Sequence, residues 1–152
     1  MDAAKTLHIL LTTDGSEESL RAVEPAALLA RRTGGRITLL RIVPELTAIS
    51  DTGFATPTGV LAKSSQAEID AARAELMDAL ARFSDVQVDV AIEASATPAA
   101  AIVEYARKHG ADLIAMASHG RTGLRRILLG STAESVLRTS DIPVLIFPLK
   151  QG

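Results

Sequence analysis

The amino-acid sequence predicts a doubly wound α/β fold, a five-stranded parallel sheet with helices on both faces. Three observations carry that expectation. Short apolar runs alternate with segments of helical period, in the order β-α-β-α-β-α-β-α-β. The run Asp112–Ala117 (DLIAMA) is nearly all apolar, as strands covered on both faces are. The chain of 152 residues has no repeat, low-complexity tail or linker, which suits one domain of about 100–200 residues spanning 1–152.

The elements follow in order. Leu7–Thr12 (LHILLT) reads as a buried strand stopped by Asp14-Gly15. Ser16–Arg32 places Leu20, Val23, Ala27 and Leu28 at helical spacing. Its start is marked by the D-x-x-E pair Asp14 and Glu17, and its stop by Gly34-Gly35. A second strand, Arg36–Val43, runs into Pro44. Residues 45–63 are rich in Thr, Gly and Pro and hold no sustained period, so they are expected to form a flexible loop of the lid or binding kind. Helical spacing returns over Ser64–Phe83, with Ile69, Ala72, Leu76 and Leu80 on one face. Val86–Ile92 alternates apolar and polar residues, the mark of a strand with a wetter face and a place near a sheet edge. Thr97-Pro98 opens a helix over Ala99–Lys108, and Gly110 ends it. After Asp112–Ala117 comes a glycine-punctuated segment, then a short helix at Thr132–Arg138 and a last strand at Ile142–Phe147.

Composition narrows the function. Sixteen Lys and Arg against eighteen Asp and Glu give a net charge of −2, unlike a dedicated nucleic-acid binder. With an aromatic share of 3% and no Trp, base-stacking platforms are not expected. Zero cysteines exclude disulfides and cysteine-ligated metals and suit a reducing compartment. No signal peptide or membrane-length apolar run is visible, so a soluble, cytoplasmic protein without membrane partners is expected.

In a parallel sheet of this kind ligands bind beyond the carboxyl ends of the strands, where strand order reverses. Three segments fall there: Thr12-Thr13-Asp14, Ile42 with its neighbours, and Met116 to Thr132. In the last, Gly120 and Gly123 permit close backbone approach, and Gly130-Ser131 leads into a helix whose Ser131-x-x-Glu134 reads as a capping box. Such a helix start offers amides and positive dipole to a phosphate, and Arg121, Arg125 and Arg126 add cations nearby. Turn-shaping glycines, a purely structural cap and a solvated basic face account for the same residues, so both readings stand at this point.

Other chemistries fail on the residues. There is no Gly-Lys pair for a Walker A loop, and TTDGSEES has one glycine where G-x-G-x-x-G needs three. Ser16 and Ser19 lack His and Asp partners and a G-x-S-x-G elbow, and the clustered acids of a receiver domain are missing. His8, His109 and His119 show no metal-ligand spacing, and the first two read as structural. No catalytic or metal-ligating set emerges.

The ordered segments DGSEES, ADLIAMASHGRTG, LLGSTAESVLR and DIPVLIF together resemble the universal stress protein family over nearly the whole chain. The family signature G-x2-G-x9-G-[ST] corresponds to Ala117, Gly120 and Gly130-Ser131, with Ala117 in place of its first glycine. An extended backbone at Ala117 would tolerate the methyl group, whereas a positive φ would not.

The resemblance implies an adenine-nucleotide alpha-hydrolase-like fold of strand order 3-2-1-4-5 and membership of the ATP-binding branch. It implies a small regulator in stress response that holds ATP or AMP. Thr12, Thr13 and Asp14 would then border the adenosine, with Asp14 accepting from ribose hydroxyls. Ile42 would meet the adenine edge, and Met116 and Ala117 would lie beside the sugar. Gly120, Gly130, Ser131 and Thr132 would face the phosphates, with Arg121 adding charge. Mg²⁺ or Mn²⁺ would be held through the phosphates, and hydrolysis would be slow at most for want of a general base. A homodimer through Val144–Phe147 is also implied. The alternative is a nucleotide-free dimerising protein of the same fold, and a pyrophosphatase-type ligase ranks last because S-G-G-x-D-S is unmatched.

Overall fold

The computed structural model describes residues 5–45, 58–81, 86–118 and 129–148. Five strands form one sheet: β1 (His8–Thr13), β2 (Arg36–Pro44), β3 (Val88–Ser95), β4 (Leu113–Ser118) and β5 (Val144–Pro148). Their order is β3-β2-β1-β4-β5, every neighbouring pair is parallel, and this is the expected doubly wound arrangement. The helices are α1 (Glu17–Leu20), α2 (Val23–Thr33), α3 (Thr58–Leu80), α4 (Pro98–Lys108) and α5 (Ser131–Thr139).

Strand alternation sorts the core into two layers. Ile9, Leu11, Ile37, Leu39, Ala115 and Ala117 face α2 and α3, meeting Ala26, Ala30 and Leu76. Leu10, Leu40, Ile114 and Met116 face the other way, onto Ile102 and Ala106 of α4 and Ala133 and Val136 of α5. Every residue of β1 is buried because this strand lies at the centre of the sheet with helices on both faces.

Several boundaries depart from the sequence reading. The helix expected at Ser16–Arg32 is two helices, because Pro25 has no N–H for the carbonyl of Arg21 and its ring clashes there. A tight turn through Arg21 and Ala22 joins them, with Ala22 N–H bonded to the Ser19 carbonyl at 3.2 Å. Helix α3 starts at Thr58, so the loop expected over 45–63 is helical in its last six residues, and 46–57 lie outside the described residues. Pro57 directly precedes that start. Strand β3 runs on to Ser95, where it still pairs with Pro44, and it is an edge strand as its alternation implied.

At the amino end of the sheet His8 is buried, and its Nδ1 lies 3.2 Å from Arg36 Nη2. A guanidinium can only donate, so Nδ1 is the acceptor and Nε2–H donates to Thr38 Oγ1 at 2.8 Å. Burial, then the Arg36 charge, lowers the His8 pKa and keeps the ring neutral. The backbone N–H of His8 donates to Asp112 Oδ2 at 3.0 Å, and Lys5 pairs with the same carboxylate.

Candidate functional site

The register shows where the sheet opens. Thr13, the last residue of β1, stands opposite Arg41, while β2 continues to Pro44. On its other side β1 is paired with β4 through Leu11 and Ala115. After β1 the chain turns onto the face carrying α2 and α3, and after β4 it reaches α5 on the opposite face. Two neighbouring strands whose connections leave in opposite directions create a crevice at their carboxyl ends.

A cavity of about 340 Å³ occupies that crevice. Its walls include Thr12, Thr13, Asp14, Ile42, Met116, Ala117, Gly130, Ser131 and Thr132, nine of the eleven residues singled out from the sequence. The other two, Gly120 and Arg121, lie outside the described residues. The wall also contains Ser19, Leu40, Pro98, Ile102 and Ala133, which sequence reasoning did not assign to the site. Pro98 had a usable signal, since the Thr97-Pro98 helix start comes just after the carboxyl end of the third strand. Leu40, Ile102 and Ala133 carried no site signal in the sequence, and Ser19 was weighed only as a nucleophile.

The turn after β1 holds Asp14 in a fixed pose. Asp14 Oδ1 accepts from Ser16 N–H at 2.9 Å and from Ser19 Oγ at 2.8 Å. Thr13 Oγ1 lies 2.6 Å from Ser19 Oγ and accepts from Gly15 N–H at 3.0 Å. The one Ser19 hydroxyl proton points to Asp14 Oδ1 and is shared with the Ser16 carbonyl at 3.0 Å, so Ser19 accepts from Thr13, and Thr13 in turn accepts from Gly15 N–H. Aligned bonds of this kind strengthen one another, and they end on a carboxylate at the cavity wall. The expected Asp14-x-x-Glu17 cap is therefore corrected: Ser16 is the N-cap of α1, accepting from Ser19 N–H at 3.2 Å, and Asp14 braces the turn before it.

The start of α5 brings a second correction. Gly130 is the N-cap, with φ −63° and ψ 159°, and no side chain caps the helix. Ser131 is already helical, and Glu134 pairs with Arg138 at 2.5 Å, so the expected Ser131–Glu134 capping box is not formed. The i,i+4 ion pair competes for the same glutamate. The first helical bond is from Glu134 N–H to the Gly130 carbonyl at 3.0 Å, so the amides of Ser131, Thr132 and Ala133 precede the helical ladder. All three residues border the cavity.

Ala117 sits in the β4–β5 ladder opposite Phe147. No residue other than glycine has positive φ among the described residues, so the alanine occupies an ordinary strand position without strain. Its methyl group belongs to the core layer under α2 and α3.

Among the described residues no group of three or more His, Asp or Glu side chains is placed to hold a metal ion. No described helix is long and apolar enough to cross a membrane.

Comparison with known proteins agrees with this fold. A sequence model of the universal stress protein family matches residues 6–148. Universal stress protein MJ0531 of Methanocaldococcus jannaschii is 32% identical over 144 residues, covering 91% of this chain and 79% of its own. Among solved structures, MJ0577 of the same organism superposes with a TM-score of 0.76 at 28% identity, over 96% of this chain and 98% of its own. A universal stress protein solved in complex with cAMP has a TM-score of 0.59 at 24% identity, over 95% and 98% of the two chains. One from Archaeoglobus fulgidus in complex with dAMP has 0.57 at 18%, over 94% and 98%, and these last two likenesses speak to the fold.

Proposed function

This chain belongs to the universal stress protein family, and on that premise we propose that it is a small adenine-nucleotide-binding regulator, with ATP or AMP seated in the cavity at the carboxyl ends of β1, β2 and β4. The observation that carries this reading is the convergence of a braced carboxylate and the first-turn amides of α5 on one cavity. These groups suit opposite ends of a nucleotide. Asp14 accepts from ribose hydroxyls, and the amides of Ser131, Thr132 and Ala133 donate to phosphate at the positive end of α5. Ile42, Leu40, Pro98 and Ile102 supply an apolar wall for the base, while Met116 and Ala117 flank the sugar. Two proteins of the same fold were solved with cAMP and dAMP, an analogy of fold that fits the ligand class.

Mg²⁺ or Mn²⁺ would be held through the phosphates in this reading. Asp14 is engaged by Ser16 and Ser19, and no general base is assigned, so ATP turnover would be slow. The bound nucleotide would act by favouring one shape of the surrounding loops over another, which partners then read. The cysteine-free chain suits a reducing compartment such as the cytoplasm.

The test begins with denaturing the purified protein and identifying any released nucleotide by chromatography, together with calorimetric titration by ATP and AMP. Gly130→Val, which crowds the amides of α5, should abolish binding while the circular-dichroism spectrum is retained. Normal binding by that variant would refute the phosphate assignment. A second reading, a nucleotide-free protein acting through homodimerisation, draws on one feature: β5 is an edge strand whose residues Val144–Phe147 are apolar and half-exposed. Absence of released nucleotide and of any heat with either ligand would favour it.

A further inference from the structure

We propose that Arg41 is a positioning residue of this site: together with Glu75 it holds the turn that aims Asp14, and so it sets the preference for a ligand bearing ribose hydroxyls. The inference rests on the nucleotide reading above and names a determinant of its specificity.

Arg41 breaks the pattern of its strand. The two preceding residues on the same face of β2, Ile37 and Leu39, are apolar and fully buried against α2 and α3. The third place on that face holds a cation whose side chain is only 22% exposed. A charge taken that far from water needs partners. Its Nη1 donates to Glu75 Oε2 of α3 at 2.7 Å.

The guanidinium, Nη1 included, lies against Gly15. A Cβ built on Gly15 would stand 2.7 Å from Nη1 and 2.8 Å from Cζ, so the arginine head fills the space a side chain there would need. Gly15 has φ +85°, the left-handed region that glycine alone enters freely. The amide of this same Gly15 starts the hydrogen-bond chain through Thr13 and Ser19 to Asp14. Arg41 is also the register partner of Thr13, so backbone and side chain brace the turn from one neighbouring residue. Without the guanidinium the turn can relax, and the carboxylate loses its aim while the α5 amides are untouched.

The experiment titrates ATP and 2′,3′-dideoxy-ATP into the wild type, Arg41→Met, Arg41→Lys and Glu75→Gln by calorimetry. The wild type should prefer ATP. Arg41→Met should weaken ATP by about tenfold, the loss expected for a charged hydrogen bond, and leave dideoxy-ATP unchanged. Arg41→Lys, lacking the planar fork, should fall between. In an Asp14→Ala background Arg41→Met should have no further effect. An unchanged preference, or equal weakening of both ligands, would overturn the proposal, the second outcome being that of a general structural or electrostatic role. Should Arg41→Met not fold, Glu75→Gln decides: its exposed side chain is replaceable, and an unaltered ATP preference there refutes the positioning role. Failure of the wild type to bind either ligand would instead bring down the nucleotide reading itself.

Discussion

Asp14 and His8 stand near opposite ends of β1 and answer to opposite constraints. Asp14 is exposed and braced by its own turn, whereas His8 is kept neutral first by burial and then by the Arg36 charge beside it. Protonating His8 would turn its Nδ1 from an acceptor into a donor facing Arg36. A pKa below the ordinary 6.5 means that the unfolded chain binds more protons in the window beneath that value. Stability contributed by His8 is thus complete above pH 6.5 and declines as pH falls toward the lower folded value. Urea midpoints measured between neutrality and mild acid should fall, and His8→Gln should flatten the slope. An equal slope in the variant would remove His8 as its source. The Asp112 carboxylate, held below 3.8 by the Lys5 hydrogen bond and then by the His8 amide, acts in a separate, more acidic window. His8 was legible as structural because it lacks ligand spacing. Its neutral state was not, since Arg36 and Thr38 reach it only across the β1–β2 pair.

Helices were read well where burial repeats and poorly where a backbone detail intervenes. In α3 the spacing of Ala72 and Leu76 marks the buried face, and both lie in the core. Leu76 is fully buried against the layer containing Ile37 and Leu39. Leu76→Ala should cost about 2–5 kcal/mol, the range for a truncated core leucine. Chemical denaturation gives the value, and a loss below about 1 kcal/mol would mean that α3 is not packed as described. Pro25 shows the opposite case: the apolar spacing runs through it, but the missing N–H and the ring clash divide the helix. Caps were misread in the same manner. Asp14 and Ser131 have suitable side chains, yet which residue sits half in the helix depends on backbone angles that the strand exits impose.

For the whole molecule, the two sheet edges differ. Edge strand β3 carries exposed Asp89 and Glu93, and Arg73 of α3 reaches the Val90 carbonyl at 3.4 Å. Charges on an edge discourage pairing with another chain. Edge strand β5 is apolar, and Leu145 lies half-exposed between Val144 and Ile146, which pack against the core. On this difference, any self-association is expected through β5 rather than β3. Sedimentation of the wild type should show a dimer, and Leu145→Lys should shift it to monomer at the same concentration. A monomeric wild type at high concentration would rule this out. The sequence by itself determined the number and order of the strands and their alternation with helices, though not the division of the first helix at Pro25, because burial on one face or two leaves a period in the residues. It also marked the strand ends that border the cavity, since parallel strands joined by crossovers place their carboxyl ends on one edge. Only the tertiary structure decided that Pro98, Ile102 and Ala133 wall the cavity, that Ala117 is an unstrained strand residue, and that Arg41 lies on Gly15. Those contacts join residues distant along the chain, and their distances follow from how strands register and helices dock, which no local period records.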